Sequence, residues 1–93
     1  MIVGILTVDL ALFEAQTLKD KRRVVSGLKE KLRNRFNISV AEVEHADSAK
    51  RCTLGVAAVC GASRPLHAQF DQIVDAIRST HGLTLLEYHR EFL

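Results

Sequence analysis

The 93-residue sequence predicts an α+β domain of ferredoxin-like topology, β-α-β-β-α-β, and three observations carry that expectation. Two nearly continuous apolar runs, 2–13 (IVGILTVDLALF) and 51–60 (RCTLGVAAVC), have the composition of central strands. Two segments of mixed polarity, 38–45 and 83–92, have the pattern of edge strands. Amphipathic stretches of helical periodicity separate the first strand from the second and the third from the fourth. With right-handed crossovers, this order gives a four-stranded antiparallel sheet, strand order 4-1-3-2, with both helices on one face. No linker, repeat or low-complexity segment interrupts the chain, so residues 1–93 form one domain.

Each element has its own justification. The first strand is apolar on both parities until Thr7 and Asp9. The first helix opens at Thr17, an N-cap residue, with Asp20 three positions on as a short capping box. On a helical wheel Val25, Leu28, Leu32 and Phe36 form the buried stripe, flanked by Val24. Lys21 and Arg35 fall inside that stripe, and the expectation for both is an aliphatic stem on the core with the charge snorkelling to water. In the second strand Ala41 and Val43 alternate with Glu42 and Glu44. A polar turn, 46–50, leads to the third strand, which Gly61 ends. Ser63 is the expected cap of the second helix, with Pro65 tolerated in its first turn. Leu66, Phe70, Ile73, Val74 and Ile77 make its buried stripe, and His81-Gly82 is its expected stop.

Charge is distributed unevenly. Residues Thr17 to Phe36 hold eight of the thirteen basic residues against Asp20 and Glu30, a net +6, while the rest of the chain sums to −4. Lys19, Arg22, Arg23, Lys29 and Arg33 share about a third of the helix circumference beside the buried stripe. Lys19–Arg23 and Lys29–Arg33 are like-charge pairs four residues apart, an arrangement that costs a few tenths of a kcal/mol each. Cations at the helix N-terminus also oppose the macrodipole. A solvated face usually mixes signs; this arc, interrupted only by Glu30, predicts an anionic partner. An RNA-recognition-motif protein of this topology stacks bases on aromatics of its central strands. Here the third strand has no aromatic residue and the first has only Phe13, at its end. Nucleic-acid contact is therefore expected through phosphates, from Lys19, Arg22, Arg23, Lys29 and Arg33 with the Lys50-Arg51 turn.

Other function classes find little support in the residues. His45, His67, His81 and His89 lack the spacing of a metal site, and no nucleophile–base order or phosphate-cradling loop is present. The expectation is a non-enzymatic protein without cofactor or metal. On one strand, Cys52 and Cys60 would lie ~26 Å apart, too far for a disulfide, so reduced thiols are expected. No secretory signal or membrane span is legible, which makes the cytoplasm the expected location. The face of the sheet away from the helices carries Val3, Ile5, Thr53, Gly55, Ala57 and Val59, small and apolar enough to predict a homodimer packed sheet on sheet.

Three stretches resemble the YlxP-like family of small bacterial proteins: MIVGILTVDLAL at the start, TLKDKRR at 17–23, and RNRFNISVAEVEH at 33–45 with TLGVA at 53–57. The resemblance spans nearly the whole chain and is weakest after Gly61. It implies a ferredoxin-like fold and a bacterial origin. Members are often encoded beside factors for translation initiation and ribosome maturation, which implies a ribosomal or RNA role. No catalytic residues are established for the family, so none carry over. The expected function is an RNA-binding accessory protein of ribosome maturation or translation. The alternative is a homodimeric interaction module that recognises an acidic protein surface with the same helix.

Overall fold

The two apolar runs become the central pair of the sheet. In the computed structural model, which describes all of residues 1–93, β1 (Ile2–Ala11) and β3 (Arg51–Cys60) pair antiparallel along their full length, from Ile2 opposite Cys60 to Ala11 opposite Arg51. β2 (Ser39–Glu44) joins the outer side of β3, and β4 (Thr84–Phe92) the outer side of β1. The order β2-β3-β1-β4 is the expected one read from the other edge. The protein is thus an α+β domain with an open, four-stranded antiparallel sheet and two helices, α1 (Leu18–Arg35) and α2 (Ser63–Arg78), and this arrangement fits ferredoxin-like topology.

The core lies between the sheet and the helices because strand side chains alternate faces. Leu6, Val8 and Leu10 of β1 and Cys52, Leu54 and Val56 of β3 are fully buried on the helix side. Val25, Leu28 and Leu32 of α1, with Leu66, Phe70, Ile73, Val74 and Ile77 of α2, close over them. Gly4 shows how close that packing is. A Cβ there would sit 3.0 Å from two ring carbons of Phe70 and 3.2 Å from a Leu66 methyl, so only glycine admits the ring.

α1 begins as its sequence dictates. The Thr17 hydroxyl accepts from Asp20 N–H at 3.1 Å, and the Asp20 carboxylate accepts from the N–H groups of Thr17 and Gln16. Those bonds, to Gln16 first, hold the Asp20 carboxyl below its ordinary pKa. α2 departs from expectation. Its N-cap is Ala62, with no side-chain cap, and Ser63 is the first helical residue. That places Pro65 in the first turn, where a missing N–H costs nothing. α2 ends at Arg78, and Gly82 takes the positive φ of 93° in the loop that follows.

β2 shows which parity goes inward. Val40, opposite Val56, and Glu42, opposite Leu54, face the helices, while Ala41 lies on the bare side. A register shift after Glu42 turns Val43 over Gly55 on that bare side, 56% exposed. A carboxylate therefore points into the core side of the edge strand, where a buried cation of α1 meets it.

Candidate nucleic-acid interface

The cations of α1 divide into one that is buried and seven that are not. Lys21 does not snorkel: its side chain is 0% exposed. Its ammonium donates to the carbonyls of His45 at 2.6 Å and Arg51 at 3.1 Å, with Ala46 O farther off at 3.5 Å, and lies 2.7 Å from Glu42 Oε2. That carboxylate oxygen has no aligned hydrogen bond, so its contact with Lys21 is Coulombic while the donors go to main-chain oxygens. The expected snorkel fails because β2 and the β2–β3 turn arch over the ammonium and offer it a charge and carbonyls. A buried charge so compensated stays inside; without them it would have to reach water. His45 sits at φ 66°, an uncommon conformation for a non-glycine residue, and supplies the nearest carbonyl. Arg35, the other cation of the apolar stripe, behaves as expected: it is exposed, with its guanidinium 5.1 Å above the Phe36 ring.

The remaining basic residues of the helix face outward. Lys19, Arg22, Arg23 and Arg33 are exposed and Lys29 is half-buried. The protein has two ion pairs of lysine or arginine, Lys21–Glu42 and Arg90–Asp71, besides a His89–Glu87 contact, so none of these five has a carboxylate partner. Arg33 is tethered, its guanidinium donating to Val40 O of the edge strand at 2.9 Å. Arg23 stands beside Asp20 and Val24 in the wall of a cleft against the α2–β4 loop. The turn residues part company. Lys50 Nζ donates to Phe13 O at 2.8 Å, at the α1 end of the molecule. Arg51 has the parity of Thr53 and Gly55 and so belongs to the bare face of the sheet, away from the helix surface it was expected to extend.

That bare face is less uniformly apolar than its small residues suggested. One end carries Val3 opposite Val59 and Ile5 opposite Ala57, with Val59 63% exposed. The other end is acidic: Glu44, Thr53, Asp9 and Glu87 are successive partners across all four strands. Thr53 Oγ donates to Asp9 Oδ1 at 2.7 Å within that row. The apolar patch is therefore confined to about half the face. The acidic residues escaped the sequence reading because they come from three strands and converge only through register.

Both cysteines are free thiols. Burial pushes the Cys52 thiol up to about 12, with the Glu42 carboxylate adding to the effect and the charges of Lys21 and Lys29 partly offsetting it. A thiol so protonated is a poor nucleophile. No group of three His, Cys, Asp or Glu side chains converges as a metal site would require. No helix is long and apolar enough to cross a membrane.

Fold and surface together define a small α+β protein with a bare sheet on one side and a predominantly cationic helix on the other. The family model described as "Protein of unknown function (DUF503)" matches residues 3–90, and the chain belongs to that family. It is similar to "Uncharacterized protein YlxP" of Bacillus subtilis (strain 168), 26% identical over 77 residues that cover 83% of this chain and 84% of the relative. This agrees with the motifs at 1–12, 17–23 and 33–45. Among solved structures the chain is similar to "De novo designed protein Foldit4", with a TM-score of 0.55 at 10% identity, covering 100% of this chain and 97% of that one. At that identity the likeness concerns the fold alone.

The buried cluster can be tested through stability. Lys21→Met should cost about 3–5 kcal/mol in urea unfolding, because it strands the Glu42 carboxylate and the carbonyls of the turn. Lys21→Met with Glu42→Gln should recover part of that loss; equal stability of the single and double variants would show that Glu42 is not the partner. Cys52 sets an alkaline dependence. Its thiol ionises near its ordinary value of 9.0 in the unfolded chain but at about 12 when folded. The contribution of this thiol is thus fully retained below pH 9 and is lost as pH rises towards 12, by up to ~1.4 kcal/mol per pH unit for one proton. Cys52→Ala should flatten that fall relative to wild type in thermal melts taken across the same range.

Proposed function

We propose that the protein is an RNA-binding accessory protein of ribosome maturation or translation, holding phosphates along the outer face of α1. The observation that carries this reading is the set of α1 cations without carboxylate partners, of which Lys19, Arg22, Arg23 and Arg33 are also exposed. Lys19, Arg22 and Arg23 are free to displace counterions from a phosphate backbone, and Arg33, though held to Val40 O, adds its charge. Counterion release dominates non-specific nucleic-acid affinity. The same helix already tolerates like-charge repulsion and an unfavourable dipole, and a bound polyanion relieves both. Lys50, beside Phe13, extends the contact at the N-terminal end of α1. Arg51, on the other face, has no part in it.

A second reading, of a homodimer, is favoured by the apolar end of the bare face, where Val3, Ile5, Ala57 and Val59 adjoin. In an isologous pair these ends stack on each other while the acidic rows lie apart, with Glu91, opposite Ile5 on β4, at the rim of the contact. The dimer leaves α1 free, so the two readings are compatible. The protein is expected to sediment at about twice its 10.4 kDa mass at micromolar concentration, and Val59→Asp is expected to return it to the monomer. A wild type that sediments as a monomer at that concentration rules out this interface.

The phosphate surface has a quantitative test. Contacts to about 3–5 phosphates give a log–log salt slope of about −2 to −3.5 on single strands. Changing Arg22, Lys29 and Arg33 together to Gln removes three charges while preserving helix propensity. The slope should become shallower by ~2, with affinity falling alike for all sequences. A triple variant that binds ribosomal RNA as tightly as wild type at equal salt would move the surface off this helix and favour a protein partner.

A further inference from the structure

At the N-terminal end of α1 two clefts, of about 230 and 190 Å³, adjoin between the β1–α1 turn and the α2–β4 loop. They share Glu14, His81 and Gly82. The loop is seated by Gly82, whose φ of 93° suits glycine and whose Cβ position lies 3.4 Å from a Val24 methyl of α1. The groove therefore exists between two anchored segments. Phe13 stands at the rim of the first cleft, 69% exposed, the most exposed aromatic side chain of the protein. Two cations stand nearby: Lys50, which donates to the Phe13 carbonyl, and Arg23 in the wall of the adjoining cleft.

The walls discriminate between ligands. Two carboxylates line the groove, and Asp20 is occupied by the N–H groups of Gln16 and Thr17. Glu14 makes no hydrogen bond or ion pair and is exposed, so a phosphate entering the groove would meet an unneutralised carboxylate. An aliphatic side chain would bury Glu14 and Thr84 without partners, whereas the Thr80 hydroxyl already donates to Ala76 O at 2.8 Å. A nucleobase meets neither objection. It has a π-face for Phe13 and N–H donors on its edge for Glu14, while its flanking phosphates stay outside the groove, on the side of Lys50 and the outer face of α1.

We propose that this groove holds one unpaired base of an RNA strand, stacked on Phe13 with its donor edge on Glu14. The inference rests on the RNA-binding reading and adds to it a base-recognition site separate from the phosphate surface. It also replaces the sheet face, which lacks aromatics, as the place where a base is stacked.

Fluorescence anisotropy of a labelled hexaribonucleotide and of an abasic phosphodiester strand of the same length separates the two contributions. Phe13→Ala is expected to stay folded by circular dichroism, since the ring is largely in solvent. It should weaken the base-bearing strand by about 5- to 150-fold, leave the abasic strand unchanged and keep the salt slope. Phe13→Tyr should retain wild-type affinity. Glu14→Ala should weaken the base-bearing strand and leave or tighten the abasic one, because it removes both an acceptor and a negative charge. If Phe13→Ala binds both strands as wild type does, with the salt slope intact, the base site is wrong and the phosphate surface stands. Equal weakening of both strands would assign Phe13 to the shape of the turn and overturn stacking. A wild type that binds neither strand overturns the RNA reading and the groove with it.

Discussion

The buried ammonium of Lys21 is the constraint on which the rest of the architecture turns. One charge, with no exposed surface, draws together α1, the edge strand β2 through Glu42, and the β2–β3 turn through the carbonyls of His45 and Arg51. The hydrophobic core cannot set that geometry alone, because apolar contacts are non-directional. An ammonium with main-chain acceptors has a required position. It fixes where the turn closes, and hence where Ser48, Lys50 and the start of β3 lie: Ser48 Oγ accepts from the N–H groups of Lys50 and Arg51. Lys50 in turn reaches the Phe13 carbonyl. A line of polar contacts thus runs from the interior of α1 to the rim of the groove at its N-terminus.

That arrangement also separates the charges of the helix by task. Lys21 is committed to the interior, Arg33 is tied to the edge strand, and Lys19, Arg22 and Arg23 are left to solvent. The bare face of the sheet has the opposite character, an acidic row at one end and an apolar patch at the other. The electrostatic potential is therefore positive over the helix side and negative over the acidic row. The apolar patch lies on the other side, away from the basic helix. The polarity has its origin in topology: with both helices on one face, a basic helix and a partly acidic sheet necessarily look in opposite directions.

Much of the fold was legible because it rests on local or periodic signals. The Thr17–Asp20 capping box forms as its spacing requires, and the two apolar runs occupy the central strands because only those are covered along their full length. Where a signal was local but ambiguous, the reading slipped by one position, as at Ser63, which enters the helix instead of capping it. The candidate site was half legible. A wheel places Lys19, Arg22, Arg23, Lys29 and Arg33 on one arc, but it cannot show that Arg33 reaches Val40 or that Arg51 points to the other side of the sheet. The signal missed for Lys21 was present in two pieces: a cation in the middle of an apolar stripe, and a carboxylate, Glu42, on the same strand parity as the buried Val40.

By itself the sequence determined the element order, the identity of the central strands, the buried stripes of both helices and the net positive charge of α1. These depend on composition and on periods of two and 3.6 residues, which are properties of a chain read along its length. Tertiary structure decided the rest. Only the pairing register could align Glu44, Thr53, Asp9 and Glu87 in a row, and only the docking of β2 onto α1 could turn a snorkelling lysine into a caged one. The groove between Phe13 and Gly82 likewise joins loops from opposite ends of the chain. Such features depend on distances across the fold, and these exist only once the core has brought the segments together.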